Sequence, residues 1–154
     1  MRTFANLEEF VAAKGESLGF SDWHKITQEQ VNAFADATGD HQWIHVDVDR
    51  AKREMPGGKT IAHGFLTLSL IAPTAFELLM PLVHVKSVVN YGLAKVRFMN
   101  AVRSGARVRN SIKLAGVESR GANRYLVTTD NTMEIEGQIR PALTASALAI
   151  FLGP

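Results

Sequence analysis

The stretch HGFLTLSLIAPTAFELLMPLV, residues 63–83, is the most apolar part of the chain and decides the fold class. After its first residue, only Glu77 carries a charge. A run of this length either crosses a membrane or forms a helix buried in a protein core. Glu77, the two prolines Pro73 and Pro81, and the lack of positive charge on the N-terminal side favour the buried helix. We therefore expect no membrane span.

The sequence that follows this apolar run has a different pattern, in which apolar and polar residues alternate. Alternation with a period of two is typical of strands with one buried face. Glycine or proline separates four such segments, and a run of helix followed by a run of strands predicts an α+β fold. We expect an antiparallel sheet wrapped around one long central helix. The four segments are VKSVVNYGLAKVRFM, GARVRNSIKLAGVES, NRYLVTTDNTMEIEG and PALTASALAIFLG.

The sequence that precedes the apolar run predicts two amphipathic helices with clear ends. NLEEFVAAKG reads as a short helix with Asn6 as its cap. Thr27 opens the next helix, with Gln30 three residues on as in a capping box, and Gly39 supplies its stop. Asp40 is therefore expected just beyond a helix C-terminus.

The composition fits one globular domain that spans residues 1–154. Hydrophobic residues make up 46% and charged residues 21%, which argues against disorder. The lack of cysteine excludes disulfides, thiolate metal sites and a cysteine nucleophile, and it is compatible with the cytoplasm. The start, MRTFANLEEF, has acidic residues where a targeting segment would be apolar or arginine-rich.

The charge is unevenly distributed along the chain. Residues 1–80 hold 7 basic and 11 acidic side chains, whereas residues 81–154 hold 10 basic and 4 acidic ones. A basic half could face an anionic ligand or nucleic acid, but solvated positive sheet edges are the plainer explanation. Because the aromatic residues of a single-strand binding platform are missing, we expect no nucleic-acid partner.

The polar stretch GDHQWIHVDVD, residues 39–49, is the candidate site. A metal site would need His41 and His45 on one helix face, and Gly39 with the β-branched residues makes a helix there unexpected. No third nitrogen ligand is near in sequence, so we expect no metal. Asp40 and His45, five residues apart in irregular backbone, can instead converge on one water and exchange its proton. Taken alone, such a pair is more often solvated or capping than catalytic.

The wider order of residues resembles a known family. FADATGDHQWIHVDVDRA, followed eighteen residues after His45 by HGFLTLSL, resembles the MaoC-like, (R)-specific enoyl-CoA hydratases of the hotdog fold. The chain departs from their pattern at Ala37 and at Gln42–Trp43, where Asn-Pro is usual. GDHQWIHVD is similar to the subgroup that includes nodulation protein N. The matching residues are Phe34, Thr38, Gly39, Asp40, Ile44, His45 and Ala51.

The resemblance implies a function and a set of catalytic residues. Asp40 and His45 would be the catalytic pair and Gly64 the oxyanion donor, in hydration of a trans-2-enoyl-CoA to the (R)-3-hydroxyacyl product without metal or cofactor. Independently, Gly64 stands where the apolar helix begins, so its N–H lacks an intrahelical partner and its missing side chain allows close approach. The family also implies a homodimer that pairs through edge strands.

Further residues are candidates for substrate binding. His63 is favoured as a support that hydrogen-bonds the loop. Asn90, Tyr91 and Gly92 interrupt an apolar strand, either as a bulge or as a pocket wall that contacts the thioester. Arg97 lies on a basic strand face that is either solvated or in contact with the phosphates of coenzyme A.

Two other functions remain open at this point. In a hotdog acyl-CoA thioesterase, water would attack the carbonyl instead of C3, and Gly64 would serve equally well. A non-catalytic acyl-binding accessory subunit is the second alternative, and Gln42–Trp43 keeps it open. The carrier of the thioester, coenzyme A or acyl carrier protein, is not decided by the sequence.

Overall fold

The computed structural model describes residues 4–80 and 85–153, and it has the expected α+β composition. Six strands form one antiparallel sheet in the order β1-β4-β5-β6-β3, with β2 paired to β4. The strands are β1 (Ser17–Phe20), β2 (His24–Lys25), β3 (Ser87–Phe98), β4 (Arg107–Ser119), β5 (Arg124–Ile135) and β6 (Leu143–Leu152). The helices are α1 (Leu7–Ala12), α2 (Gln28–Thr38), α3 (Trp43–Val46), α4 (Val48–Glu54), α5 (Gly64–Ser69) and α6 (Ile71–Leu79).

The N-caps of the first two helices and the end of α2 are those that the sequence predicts. The Asn6 side chain accepts a hydrogen bond from the Glu9 N–H at 3.0 Å, which caps α1. Thr27 caps α2 in the same way. Gly39 ends α2 in the left-handed conformation, with φ at 82°. These caps place the polar loop immediately after α2.

The central helical segment consists of two short helices rather than one long one. α5 ends at Ser69 and α6 begins at Ile71, with Leu70 as the junction. Pro73 has no N–H for the carbonyl of Ser69, and its ring crowds that carbonyl, so the chain bends there. The residues 81–83, at the end of the predicted helix, lie outside the described part of the chain.

The core lies between this helical segment and one face of the sheet. One buried cluster joins Leu78 and Leu79 of α6 to Ile112 and Leu114 of β4. A second cluster lies nearer the polar loop and joins Leu66 of α5 to the other end of the sheet. The arrangement confirms the hotdog prediction of an antiparallel sheet around a central helical segment.

Only part of the central segment is buried, however. Phe65 is 70% exposed and Phe76 is 47% exposed, so one face of α5 and α6 is open in the single chain. Among the residues that the structure describes, no helix is long and apolar enough to cross a membrane.

The edge strand β3 contains two bulges. Its register against β6 shifts between Asn90 and Gly92, so Tyr91 is an extra residue, as one of the two sequence interpretations expected. A second shift lies between Ala94 and Arg97, where Lys95 has a positive φ of 53°. Each bulge exchanges the two faces of the strand for the residues that follow. A simple period of two therefore does not describe the basic residues of β3.

Candidate active site

The polar loop is more regular than the sequence predicts. Asp40 follows the end of α2 in irregular backbone, but His45 lies within the single-turn helix α3. The expectation that no helix would form here was wrong for this turn. Asp47 is the junction between α3 and the following helix, α4, and its side chain caps α4 by accepting from the Arg50 N–H.

Trp43 occupies the position where a proline is usual in the family. Trp43 is the first residue of α3, and proline is favoured there because its fixed φ suits a helix start. In this chain the Arg50 guanidinium lies 4.0 Å from the centre of a Trp43 ring. Arg50 itself pairs with Glu54 at 3.0 Å. This stacking holds Trp43 through its side chain, where proline would restrain the backbone.

His45 is buried and firmly oriented. Its Nδ1 donates a hydrogen bond to the carbonyl of Ile61 at 2.7 Å, and the residue is only 6% exposed. Because a carbonyl only accepts, the proton of the neutral ring is on Nδ1 and Nε2 is free to accept. The Gln28 side chain donates to the His45 carbonyl at 2.8 Å and accepts from the Thr60 hydroxyl. Gln28 and Thr60 thus hold the backbone of His45 in place.

His63 contacts both members of the candidate pair, Asp40 and His45. Its Nε2 donates to the backbone carbonyl of Asp40 at 2.9 Å, and its ring stacks on that of His45 with 3.8 Å between centroids. His63 is 2% exposed, and its Nδ1 has no hydrogen-bond partner among the described residues. These contacts are those of the loop support that the sequence analysis favoured.

Asp40, His45 and His63 meet in space. One ligating atom from each lies within 4.8 Å of the other two. Two groups that each hydrogen-bond the same oxygen at about 2.8 Å can be up to about 5.6 Å apart, so Asp40 and His45 can share one water. The metal interpretation of the sequence pairs His45 with His41, but the second nitrogen of this cluster comes from His63, which is distant in the sequence, while His41 contacts Asp36.

The geometry of the two rings favours acid–base chemistry over metal binding. The rings of His45 and His63 are stacked with only 24° between their planes. The nitrogen lone pairs lie in the ring planes, so they run side by side rather than converge on one ion. One nitrogen of each ring is also engaged by a backbone carbonyl. The three residues therefore suit a water held by Asp40 and His45 better than a metal held by all three.

The loop around Asp40 is exposed and is held by local contacts. The Asp40 carboxylate accepts from the Gln42 N–H at 3.3 Å, and the Thr38 hydroxyl accepts from the Asp40 N–H at 3.4 Å. The neighbouring His41 donates to Asp36 on α2 at 2.8 Å. This hydrogen bond raises the pKa of His41 above its ordinary value of 6.5. Asp40 is thus accessible to a ligand while its backbone is tied to α2.

Gly64 lies beside His45 at a small cavity of about 320 Å³, here named the catalytic cavity. Gly64 is the first residue of α5, so its N–H has no partner within the helix. A Cβ at Gly64 would lie 3.1 Å from the Phe98 ring. Because α5 has only six residues, the free N–H rather than a long helix dipole carries the argument. The catalytic cavity is lined by His45, Gly64, Thr67, Phe98, Val102 and Ala142, with others.

The remaining candidate residues lie elsewhere. Asn90, Tyr91 and Gly92 line a second cavity of about 910 Å³, here named the large cavity, between β3 and the central helical segment. Arg97 is exposed, lines neither cavity, and donates to the carbonyl of its neighbour Val96 at 2.8 Å. The structure therefore brings together the catalytic candidates and His63, but not the other substrate-binding candidates.

Three residues of the site were missed from the sequence. Gln28 and Thr60 hold His45, and Phe98 covers Gly64. Gln28 begins a helix and Thr60 follows a turn, and neither position carries a signal for contact with residue 45. Phe98 reaches the site because β3 contains two bulges. Gly92 is a sequence signal for the first bulge, whereas Lys95 gives no such signal for the second.

The fold and the site together define a class of protein: a hotdog domain with an Asp–His pair beside the free amide of a glycine. The family model of the MaoC-like domain matches residues 9–136, and the chain belongs to this family. The resemblance seen in the sequence is thereby confirmed.

Individual relatives extend the comparison over nearly the whole chain. The 3-hydroxyacyl-thioester dehydratase Z of Mycobacterium tuberculosis (strain ATCC 25618 / H37Rv) is 49% identical over 152 residues, which is 99% of each chain. Nodulation protein N of Rhizobium leguminosarum bv. viciae is 47% identical over 137 residues, 88% of this chain and 84% of that protein. The solved structure of an (R)-hydratase from A. caviae matches with a TM-score of 0.71 and 20% identity, over 92% of this chain and 96% of that one. This structural likeness shows the fold.

Proposed function

We propose that the protein interconverts trans-2-enoyl and (R)-3-hydroxyacyl thioesters, with coenzyme A as the carrier. The observation that carries the proposal is the distance within 4.8 Å among Asp40, His45 and His63. The relative from M. tuberculosis is named for dehydration of 3-hydroxyacyl thioesters, and its 49% identity supports the same class of reaction here.

In the hydration direction, Asp40 and His45 orient one water. The Asp40 carboxylate and the Nε2 of His45 are both acceptors, so each takes one hydrogen bond from the water. The water's lone pair is then left to face C3 of the enoyl group. As the C3–O bond forms, one of the pair takes one proton from the water, the other proton stays on the new C3 hydroxyl, and the abstracted proton is passed to C2 as the C2–C3 double bond is lost. Dehydration reverses these steps and releases the water.

Gly64 stabilises the charge that develops during the reaction. Attack at C3 moves negative charge onto the thioester oxygen, which the free N–H of Gly64 can hydrogen-bond at the mouth of the catalytic cavity. Removal of one such donor typically costs ~3–4 kcal/mol of transition-state stabilisation. The Phe98 ring packs closely where a Cβ of residue 64 would lie, so a larger residue than glycine would press against this ring beside the thioester site.

We further propose that two copies of the chain pair through β3 and that the protein works in the cytoplasm. β3 is an edge strand with exposed apolar side chains, among them Val89 at 54% exposure and Tyr91 at 63%. An edge of this kind favours pairing with another strand. The family implies that this strand belongs to a second copy.

One assay tests the reaction against its alternatives. The protein is incubated with crotonyl-CoA, and both the absorbance of the conjugated thioester and free thiol are followed. We expect the absorbance to fall without thiol release. Thiol release would identify a thioesterase, and saturable binding without turnover would identify an accessory subunit. Either result would reject the proposed hydration.

A further inference from the structure

The central helical segment contributes residues to the linings of two cavities that differ in size and character. The catalytic cavity of about 320 Å³ lies on the side of Gly64 and Thr67. The large cavity of about 910 Å³ lies on the side of Phe65 and Leu68 and is mostly apolar. Ligand pockets usually measure roughly 300–1,000 Å³, so the first is near the lower limit and the second near the upper.

Two phenylalanines, one from the lining of each cavity, are in contact. Phe98 lines the catalytic cavity and Phe65 lines the large cavity. Their rings meet edge to face, with centroids 6.0 Å apart and 74° between the planes. The two cavities share no lining residue among those that the structure describes. The Phe65–Phe98 contact therefore connects the lining of one cavity to the lining of the other.

The bulges of β3 explain why Phe98 faces the helix. Phe98 pairs with Leu143, whose side chain is fully buried in the core between sheet and helix. Opposed residues of an antiparallel pair lie on the same face of the sheet. The shifts at Tyr91 and near Lys95 together restore the inward orientation at Phe98. The ring then packs against Gly64, at 3.1 Å from the position that a Cβ would take.

The two rings are also free enough to be displaced. Phe98 is 52% exposed and Phe65 is 70% exposed in the single chain. Nothing in the described chain encloses either ring fully, in contrast to the histidines beside them. A change in one of these side chains would alter this contact without removing a core residue.

We infer that the Phe65–Phe98 contact limits the length of the acyl chain that the catalytic cavity accepts. This inference rests on the proposed function, because it assumes that an acyl thioester binds beside Gly64. A short acyl group fits within the catalytic cavity. A longer one must pass the two rings to reach the large cavity, where its methylenes would leave water.

The test compares binding and turnover across chain lengths. Affinities for butyryl-CoA and dodecanoyl-CoA are measured by calorimetry, and hydration is measured with crotonyl-CoA and trans-2-dodecenoyl-CoA. We expect the wild-type protein to favour the short chain in turnover. In Phe98→Ala, we expect the affinity for dodecanoyl-CoA to rise by about tenfold or more relative to butyryl-CoA, since each methylene removed from water is worth about fourfold. Phe98→Leu should show a smaller shift in the same direction.

The matched control is Phe20→Ala, because Phe20 has similar exposure, 49%, and lines neither cavity. We expect its chain-length preference to equal that of the wild type. The binding measurement also separates the two hypotheses. A shift in Phe98→Ala with no hydration by any form would reject the proposed function and support the length limit. An unchanged preference would overturn the length limit, whether or not hydration occurs, and so would a shift that appears only when size-exclusion chromatography shows altered assembly.

Discussion

Two regions of the molecule differ in how completely a single chain provides their contacts. One is the catalytic corner, formed by Asp40, His45, His63 and Gly64, and the other is the edge strand β3. In the corner, the two histidines are buried and anchored to the backbone: each donates to a carbonyl, at 2.7 Å and 2.9 Å. Along the β3 edge, apolar side chains such as Val89 and Tyr91 are exposed. A single chain therefore brings the candidate residues of the corner together, whereas its apolar edge is left uncovered.

This difference has a physical cause. A buried polar group must be hydrogen-bonded where it lies, so the corner is fixed by specific partners within the chain. An exposed apolar side chain costs less free energy than a buried polar group without a hydrogen bond, and association with another chain can cover it. The two regions should consequently respond differently to substitution: the corner through the reaction rate, and the edge through assembly.

The largest effect is expected in the corner, from Asp40→Asn. The substitution keeps the shape and the contact with the Gln42 N–H but removes the negative charge and one acceptor that orients the water. We expect kcat for crotonyl-CoA hydration to fall by ~10²–10⁴-fold. Circular dichroism and the melting temperature should stay close to wild type, because Asp40 is exposed. Wild-type turnover in this variant would remove Asp40 from the mechanism.

At the edge, Val89→Asp should act on assembly. A carboxylate placed on the exposed part of β3 would have to lose water or meet its symmetry mate in a dimer. We expect the Kd of self-association, measured by analytical ultracentrifugation, to rise by roughly 100-fold. The control is Val48→Asp on α4, where valine is 41% exposed and far from β3 in the sequence. Equal assembly of the Val89 variant and the wild type would disprove pairing through this strand.

A smaller effect in the corner is expected from His63→Phe. Phenylalanine preserves the ring stack on His45 but removes the hydrogen bond to the Asp40 carbonyl. The loop can then shift, and we expect kcat to fall by roughly tenfold with little change in KM, because positioning rather than binding is disturbed. A rise in KM at constant kcat would instead show that His63 acts in binding.

The smallest effect concerns the exposed pair beside the corner. The hydrogen bond to Asp36 raises the pKa of His41 above 6.5 in the folded protein. The contact therefore stabilises the fold at pH values below the pKa of His41 in the unfolded chain, and this stabilisation is lost as pH rises through the folded-state pKa. In Asp36→Asn, the pKa of His41 should return towards 6.5, as measured by NMR titration of its ring protons. An unchanged titration curve would show that this contact does not form in solution.

The sequence predicts the corner better than the edge, for reasons that particular residues show. Thr27 and Gly39 are local signals, and they place Asp40 correctly because caps depend on neighbours in the chain. Pro73 is a local signal for the helix break at Leu70, three residues earlier. The continuous apolar run nevertheless led to the prediction of one long helix. Local signals of this kind fix elements and their ends.

Contacts between distant segments could not be read in the same way. The ring of His63 contacts that of His45 because the chain turns back towards α3 after α4. No single residue between the two histidines predicts this path. The inward direction of Phe98 depends on two bulges, and Lys95 adopts its left-handed conformation without being a glycine. The support of His45 by Gln28 likewise arises only once α2 and α3 are packed together.

The central claim is that Asp40 and His45 act on one oxygen while Gly64 holds the thioester. A crystal structure of the protein with a bound (R)-3-hydroxyacyl-CoA tests it most directly. We expect the 3-hydroxyl oxygen within about 2.6–3.2 Å of both the Asp40 carboxylate and the His45 Nε2, and the thioester oxygen on the Gly64 N–H. A hydroxyl that contacts only one of the pair, or a thioester that lies away from Gly64, would contradict the claim.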